Sequence, residues 1–398
     1  MEGKPVNVYN RLTWAEISLG AVRHNVSEFR RVLPPNIKIM AVVKANAYGH
    51  GAVEVAGEAI RAGAEWLGVA LMDEALQLRK AGIEAPILVM GYTPPEAVPL
   101  ARDYNVALTV YSEEMLEALS AAGDGSRPIA VHVKLDTGMG RIGLVGERDA
   151  IRFIDRLLAT PGVRVEGLFT HYACADEADK SYTLEQHRRF QNIVGHYRAR
   201  GVEFDLLHAG NSATGIDNPE LTGNMLRLGI SLYGFYPSEE VNRTRVNLRP
   251  VMSLKTKIVM IKTLPAGSGI SYGAVYRTRG EETIATIPIG YADGYSRLLS
   301  GKAQALVRGV RVPVVGRICM DQCMLNVTGV PGASVGDEVI LIGESGGETI
   351  SAEELARLMG TIHYEVTCMV SARVPRVYLR KDGSVDHIVN AVVPNLYS

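Results

Sequence analysis

The sequence predicts an α/β protein: a (β/α)8 TIM-like barrel followed by a mostly β C-terminal domain. Three observations carry that expectation. Eight apolar runs alternate with helix-like segments up to about residue 235. Alternation of this kind means parallel strands joined by crossover helices, and eight of each over roughly 230 residues is the size of a closed barrel. Polar and cationic residues stand where several of these runs end. After Pro237 the rhythm stops, and short β-rich runs are divided by Pro, Gly and Asp. An open doubly wound sheet is the competing arrangement on pattern alone.

The chain opens with a short strand near Thr13. A helix follows, in which Val22, Val26, Phe29 and Leu33 recur at helical spacing until Pro34 ends the run. The barrel strands are expected at Ile37–Val43, Trp66–Leu71, Ala85–Met90, Val106–Val110, Pro128–Leu135, Val165–Phe169, Phe204–Leu207 and Met225–Tyr233. Helices are expected near 18–33, 51–62, 73–81, 95–103, 112–122, 147–159, 183–200 and 211–217. Further on, β runs are expected at Ser253–Thr263, Thr283–Ile289, Gln304–Val315, Met324–Val327, Glu338–Ile342 and Thr367–Leu379, with one short helix at Glu353–Leu358. Turn signals such as Pro265-Ala266-Gly267 and Asp382-Gly383 lie between them. The domain reading is an N-terminal segment 1–13 available to pair with the C-terminal domain, a barrel over 14–245, and a β domain over 246–398.

Composition narrows the function classes. Lys plus Arg number 42 against 43 for Asp plus Glu. That balance gives no electrostatic reason to expect nucleic acid or an anionic membrane as partner. No apolar run approaches the roughly 20 residues of a membrane helix, and Met1 to Trp14 holds no apolar signal core. The expectation is a cytoplasmic protein. The cysteines are Cys174, Cys319, Cys323 and Cys368. Four in so long a chain do not suggest a disulfide framework. Cys319 and Cys323 are spaced C-x3-C with no second pair, so no metal site is expected.

Active sites of barrels lie at the C-terminal ends of the strands. Lys44 stands where the first strand ends, and a lysine there must pair, shift its pKa or enter a covalent bond if it is not to reach solvent. Lys134, Asp136 and Arg141 follow strand five, His171 strand six, and His208, Asn211 and Ser212 strand seven. Arg227 lies inside strand eight between Leu226 and Leu228. An arginine in an apolar strand is rarely buried without a partner. An ion pair to a carboxylate such as Asp136 is one reading, and a partner to a ligand's ring nitrogen is the other. Gly138-Met139-Gly140-Arg141-Ile142-Gly143 matches the G-x-G-x-x-G pattern of dinucleotide-binding turns. Gly146 delays the helix to about Glu147, which argues against that use.

The run Ala41-Val42-Val43-Lys44-Ala45-Asn46-Ala47-Tyr48-Gly49-His50-Gly51 closely resembles the cofactor attachment segment of bacterial alanine racemases. The resemblance implies that Lys44 carries pyridoxal 5'-phosphate as a Schiff base. Lys134-Leu135-Asp136-Thr137-Gly138-Met139-Gly140-Arg141-Ile142-Gly143 resembles a second signature of that family. It implies that Arg141 contacts the cofactor's phenolic oxygen and the substrate carboxylate, and that Lys134 is a candidate for carbamylation. Met225-Leu226-Arg227-Leu228-Gly229-Ile230-Ser231-Leu232-Tyr233-Gly234 resembles the segment whose arginine faces the pyridine nitrogen. Related barrel decarboxylases usually have glutamate there.

The same resemblance extends to the phosphate and the second base. Loops after strands seven and eight commonly hold a phosphate in barrels, and Asn211-Ser212 and Gly229-Ile230 occupy those places; the resemblance adds Tyr48 and Tyr364 as hydroxyl donors to the cofactor phosphate, and implies that His171 and His208 pack beside the ring or support the arginine. Gly269-Ile270-Ser271-Tyr272-Gly273 resembles the segment whose tyrosine is the base opposite the lysine. Gly290-Tyr291-Ala292-Asp293-Gly294-Tyr295-Ser296-Arg297 and Gly316-Arg317-Ile318-Cys319-Met320-Asp321 match as well, Met320 contacting substrate through its backbone amide. The implied protein is a pyridoxal-phosphate-dependent isomerase that interconverts L-alanine and D-alanine by two bases, Lys44 and Tyr272. It would be a homodimer with shared active sites, supplying D-alanine for peptidoglycan. The alternatives are a fold-related decarboxylase, which Arg227 opposes, and a non-catalytic cofactor-binding barrel, which Tyr272 opposes.

Overall fold

A computed structural model describes residues 11–122 and 127–392. Residues 1–10, most of the expected N-terminal segment, lie outside the described residues. The chain forms two compact units. One comprises residues 21–47, 51–122 and 127–249, the other residues 11–20, 48–50 and 250–392.

The first unit is a barrel of eight parallel strands: β1 (Lys38–Val42), β2 (Trp66–Val69), β3 (Ile87–Val89), β4 (Ala107–Val110), β5 (Ile129–Lys134), β6 (Val163–Phe169), β7 (Leu206–His208) and β8 (Met225–Leu228). They are ordered β7-β6-β5-β4-β3-β2-β1-β8. Asn224 N–H donates to Leu207 O at 2.9 Å and Arg227 N–H to Gly210 O at 3.2 Å, which nearly closes the ring between β7 and β8. Every residue of β2, β3, β4 and β8 is buried. Strands covered on both faces read as unbroken apolar runs, which is why the runs were visible. Met40, Trp66, Leu88, Ala107, Leu206 and Met225, each from a different strand, pack as one core cluster.

The crossover helices fall within about two residues of expectation. Glu147–Leu158 is representative, burying Ala150, Phe153, Ile154 and Leu157 on one stripe. Strand eight is shorter than expected. Met225–Leu228 is strand, and Ile230–Tyr233 is a 3-10 turn. Ser212 Oγ accepts from Gly229 N–H at 3.0 Å and from Ser231 N–H at 3.3 Å, so the donors a longer strand would need are taken.

The second unit is built on an eleven-stranded sheet. Its main path runs Met260–Leu264, Glu282–Ile287, Cys323–Asn326, Val310–Val315, Gln304–Val307, Glu338–Ser345, Met252–Lys257, Thr13–Ser18, Arg376–Leu379 and Val385–Val389. Several expected spans are corrected here. Thr13–Ser18, read as the head of the barrel segment, pairs instead antiparallel with Met252–Lys257 and parallel with Arg376–Leu379. Only its last four residues, Ala15 to Ser18, alternate apolar and polar like a sheet strand, and only its neighbourhood in sequence suggested the barrel. Gln304–Val315 is a hairpin turning at Arg308 and Gly309, both at positive φ (53° and 78°). Thr367–Leu379 is the end of a helix, His363–Met369, and then the strand Arg376–Leu379. The short helix runs from Ala352 to Met359, capped by Ser351 and ended by Gly360 in the left-handed region. A small ladder, Gly269–Ile270 against Tyr276–Arg277, was not expected and holds the Tyr272 turn.

Candidate active site

Lys44 stands one residue past the end of β1, after Val43, and is half-buried. Beyond it the backbone makes a left-handed turn: Ala45, Asn46, Ala47 and Tyr48 all have φ of 52–53°. For L-residues each such position costs roughly 1–2 kcal/mol, so the turn must be held by its surroundings. Glu74 does part of this. Its carboxylate accepts from Ala45 N–H at 2.6 Å and from Ala70 N–H at 2.7 Å. Asn46 does more, accepting from Gly51 N–H at 2.9 Å through its carbonyl and from Ala52 N–H at 2.9 Å through Oδ1. Backbone strain of this kind persists only where the surroundings over-determine it.

The loop after β5 is organised by Asp136. Its carboxylate accepts from Gly138 N–H, Gly140 N–H and Arg141 N–H, each at 3.0 Å. Burial works against that charge, but the backbone donors outweigh it and hold the carboxyl below its ordinary value. Gly143, at φ 127°, is required: a Cβ there would stand 2.7 Å from Asp136 N. The glycines of the G-x-G-x-x-G pattern therefore serve this turn and present an exposed Arg141. Lys134, 2% exposed, donates to Leu135 O at 2.8 Å and lies 5.4 Å from the centre of the Phe169 ring. Burial, with the charge of Arg227 added, pushes its pKa down to about 7.

Arg227 is 4% exposed. It makes no ion pair with Asp136 among the described residues. NH1 donates to His208 O at 2.7 Å and His208 Nδ1 at 3.0 Å. NH2 donates to Thr170 O at 2.8 Å, His171 Nδ1 at 3.0 Å and Ala209 O at 3.0 Å. The terminal N–H groups thus all meet acceptors, and among the described residues no acceptor faces Nε–H. Burial pushes the guanidinium down to about 10, still charged at neutral pH. Burial and then the Arg227 charge hold His171 well below its usual pKa; burial, His132 and Arg227 do the same for His208. Both rings therefore stay neutral. Asn211 caps the helix Ser212–Asp217, its Oδ1 accepting from Thr214 N–H at 3.1 Å. Ser212 accepts two backbone N–H groups, which leaves its own O–H to be donated.

In the second unit, Tyr48 is buried and its ring lies 6.2 Å from that of Tyr364, which the helix His363–Met369 presents. Burial raises the Tyr48 pKa well above its usual value. Tyr272 is 69% exposed and Met320 53%. They line an open groove of about 790 Å³ with Ser271, Cys319 and Gln322. Gly290 supports the Met320 segment: a Cβ there would stand 2.2 Å from Cys319 O.

Residues 17–237 match the family of alanine racemase N-terminal domains and residues 251–378 the family of alanine racemase C-terminal domains. The chain belongs to the alanine racemase family. An alanine racemase of Desulfovibrio desulfuricans is 49% identical over 372 residues, 93% of this chain and 99% of that one. The crystal structure of alanine racemase from Bacillus anthracis with bound L-Ala-P superposes with a TM-score of 0.91 at 43% identity, covering 96% of this chain and 99% of that one. A histidine racemase from Leuconostoc mesenteroides superposes with a TM-score of 0.86 at 32% identity, covering 95% and 100%.

Within the barrel unit of this alanine racemase family member, hydrogen bonds gather Arg227, His171 and His208, and Lys134 and Arg227 both lie against the Phe169 ring. Three residues were missed by sequence reading: Glu74, His132 and Glu166. The last two had a signal, since each is a polar residue inside an apolar strand (Ile129–Lys134 and Val163–Phe169) and buried polar groups require partners. Glu74 had none, being an ordinary acidic residue in a helix first turn.

Proposed function

We propose that the protein interconverts L-alanine and D-alanine with pyridoxal 5'-phosphate held by Lys44. It acts as a homodimer in which each site draws on Tyr272 of the partner subunit and the backbone amide of Met320 of the partner subunit. The product D-alanine suits peptidoglycan assembly. The observation that carries this reading is Arg227. Its remaining Nε–H can only donate, so a ring nitrogen facing it must be an acceptor and carry no proton.

The donor set fits the cofactor. Lys44 supplies an amine for its carbonyl carbon, Arg227 a donor for its ring nitrogen, and the Ser212 O–H a donor for its phosphate. Asn211 fixes the turn that presents Ser212; Gly229 already donates its N–H to Ser212 and so fixes that hydroxyl, with Ile230 next in the chain. Tyr48 and Tyr364 are the proposed phenol donors to the phosphate. Arg141, on a loop fixed by Asp136, binds the substrate carboxylate, and His171 lies beside the ring. When bound, pyridoxal phosphate withdraws electrons from the substrate Cα–H bond. An arginine partner keeps that withdrawal weak, which favours prompt return of a proton over side reactions. Lys44 takes the α-proton of D-alanine, and Tyr272 of the partner subunit delivers one to the opposite face; in the other direction the two exchange roles.

Arg227→Glu tests this. A carboxyl can share a proton with the ring nitrogen, so the variant should bind cofactor, lose racemisation by about 10²-fold or more, and show a long-wavelength absorbing transient with alanine. An unchanged rate without the transient would make Arg227 structural and remove the reading's main support.

A further inference from the structure

A line of buried polar groups runs through the barrel from Arg227 to a carboxylate three links away. Arg227 NH1 donates to His208 Nδ1 at 3.0 Å. His208 Nε2 lies 2.8 Å from His132 Nδ1. His132 Nε2 lies 3.4 Å from Glu166 Oε2, the longest link. Glu166 Oε1 in turn accepts from Arg164 NH2 at 2.5 Å. His132 and His208 are 0% exposed and Glu166 8%. Gly167 makes room for the His132 ring, since a Cβ there would stand 2.9 Å from Nδ1. Phe169 stacks on His208 at 4.6 Å, with an interplanar angle of 8°, and Trp66 meets His132 edge-on at 5.4 Å.

Both ends of this line are fixed in sense. A guanidinium only donates, so His208 Nδ1 must accept. A neutral His208 then carries its proton on Nε2 and donates it to His132 Nδ1. His132 must then hold its own proton on Nε2, facing Glu166. Glu166, paired with Arg164, is a carboxylate and only accepts. Burial disfavours a charge on either ring, so each carries one proton and the sense of the line is unique. Remove the acceptor at Glu166 and His132 gains nothing by keeping its proton on Nε2. Should both tautomers reverse, a donor on His208 Nδ1 would oppose the donor on Arg227.

We propose that Glu166, acting through His132 and His208, is a positioning residue for Arg227: it sets the ring tautomers that hold the guanidinium with Nε–H available to the ring nitrogen of the cofactor. This deepens the reading of Arg227 given above and rests on it for its effect on the reaction.

The experiment is 15N NMR of the histidine ring nitrogens in the holo protein, with resonances assigned by single His variants, together with steady-state kinetics. In the wild type, His132 and His208 should both be neutral, with Nε2 protonated and Nδ1 not. In Glu166→Leu both rings should populate the other tautomer, and kcat should fall about tenfold with KM within about twofold. Glu166→Gln, whose amide oxygen can still accept from His132, should keep the wild-type tautomers and most of kcat. A proton on His208 Nδ1 in the wild type, or a charged ring, overturns the proposal even if the Leu variant does not fold. So does a Glu166→Leu protein with unaltered tautomers, whatever its kcat. The tautomers are read without substrate, so a wild type with the expected tautomers but no racemisation would defeat the proposed reaction and not the assignment of the protons.

Discussion

The two turns that carry Lys44 and Tyr272 are alike in backbone and unlike in cover. The residues after Lys44 hold four consecutive left-handed positions. Around Tyr272, Ser271 (φ 62°, ψ −175°), Gly273 (φ 75°) and Ala274 (φ 44°) are also at positive φ, and the Ser271 conformation is one that glycine alone visits easily. The first turn is tied down by Glu74 and Asn46, and its following residues, Ala47 to His50, are buried. The second is tied by Ser271 Oγ to Arg317 O at 2.6 Å, yet Tyr272, Val275 and Met320 around it are each more than half exposed. Strain at both points to function at both. The difference in cover fits the proposed dimer, in which a second copy would cover the Tyr272 turn, since apolar surface gathered around a groove is a usual sign of an interface.

The comparison is tested most severely by removing each base in turn. Lys44→Ala takes away a base and the covalent anchor together, so racemisation should fall by at least about 10⁴-fold in both directions, with loss of a borohydride-sensitive absorbance band near about 420 nm. Tyr272→Phe should cost less, about 10²–10⁴-fold, and should cost it asymmetrically. Proton NMR in heavy water should show the α-proton of D-alanine still exchanging while that of L-alanine does not. Equal loss from both enantiomers would mean that one base serves both faces, or that Tyr272 only packs. Mixing the two inactive variants should restore activity in hybrid dimers, each with one intact site. Hybrids that form and stay inactive would place Tyr272 and Lys44 of the same chain in the same site.

A smaller effect is expected from the tie between Glu74 and the Lys44 turn. Glu74→Gln replaces one carboxylate oxygen by an amide that faces a backbone N–H, and a hydrogen bond to a charged group contributes about 1.5–3 kcal/mol. Hydrogen exchange at Ala45 should quicken and activity should fall about tenfold, with the cofactor still attached. Unchanged exchange at Ala45 would show the turn to be held by Asn46 alone.

The barrel was legible because all-parallel strands are buried on both faces and so print themselves as apolar runs; Trp66–Val69 and Met225–Leu228 needed no partner to be seen. The β unit was less legible for the opposite reason. Thr13–Ser18 finds its partners at Met252–Lys257 and Arg376–Leu379, far away in sequence, and nothing local distinguishes it from the start of a barrel. The helix His363–Met369 is seven residues long and follows a β pattern, too short for its period to register. Of the site, the residues at strand ends were legible by position. Glu166 and His132 were hidden inside strands, where a sequence shows that a polar residue is buried but not which other strand answers it.

The smallest effect on rate, and the sharpest on pH, concerns Lys134. Its pKa in the folded protein is pushed down to about 7 by burial and by Arg227, against about 10.4 in an unfolded chain. Between those values the unfolded state binds more protons than the folded one, so stability rises with pH across that window, levels off above the unfolded value, and is lowest below about 7, where the buried ammonium must be accommodated. Urea unfolding in carbonate-free buffer should therefore show a gain from pH 6 to pH 9 that Lys134→Met largely abolishes. The same neutral amine is what carbamylation needs: the nitrogen attacks carbon dioxide, releases a proton and leaves an anion able to pair with Arg141. With 13C-bicarbonate a carbamate signal should grow as pH rises through 7 and be absent from Lys134→Met, whose kcat should be lower by about threefold to tenfold from a less ordered Arg141. If the pH gain is found but no carbamate forms, Lys134 acts as a neutral hydrogen-bond donor to Leu135 O. If neither is found, the ammonium stays charged in its buried position, with Asp136 as its counter-charge.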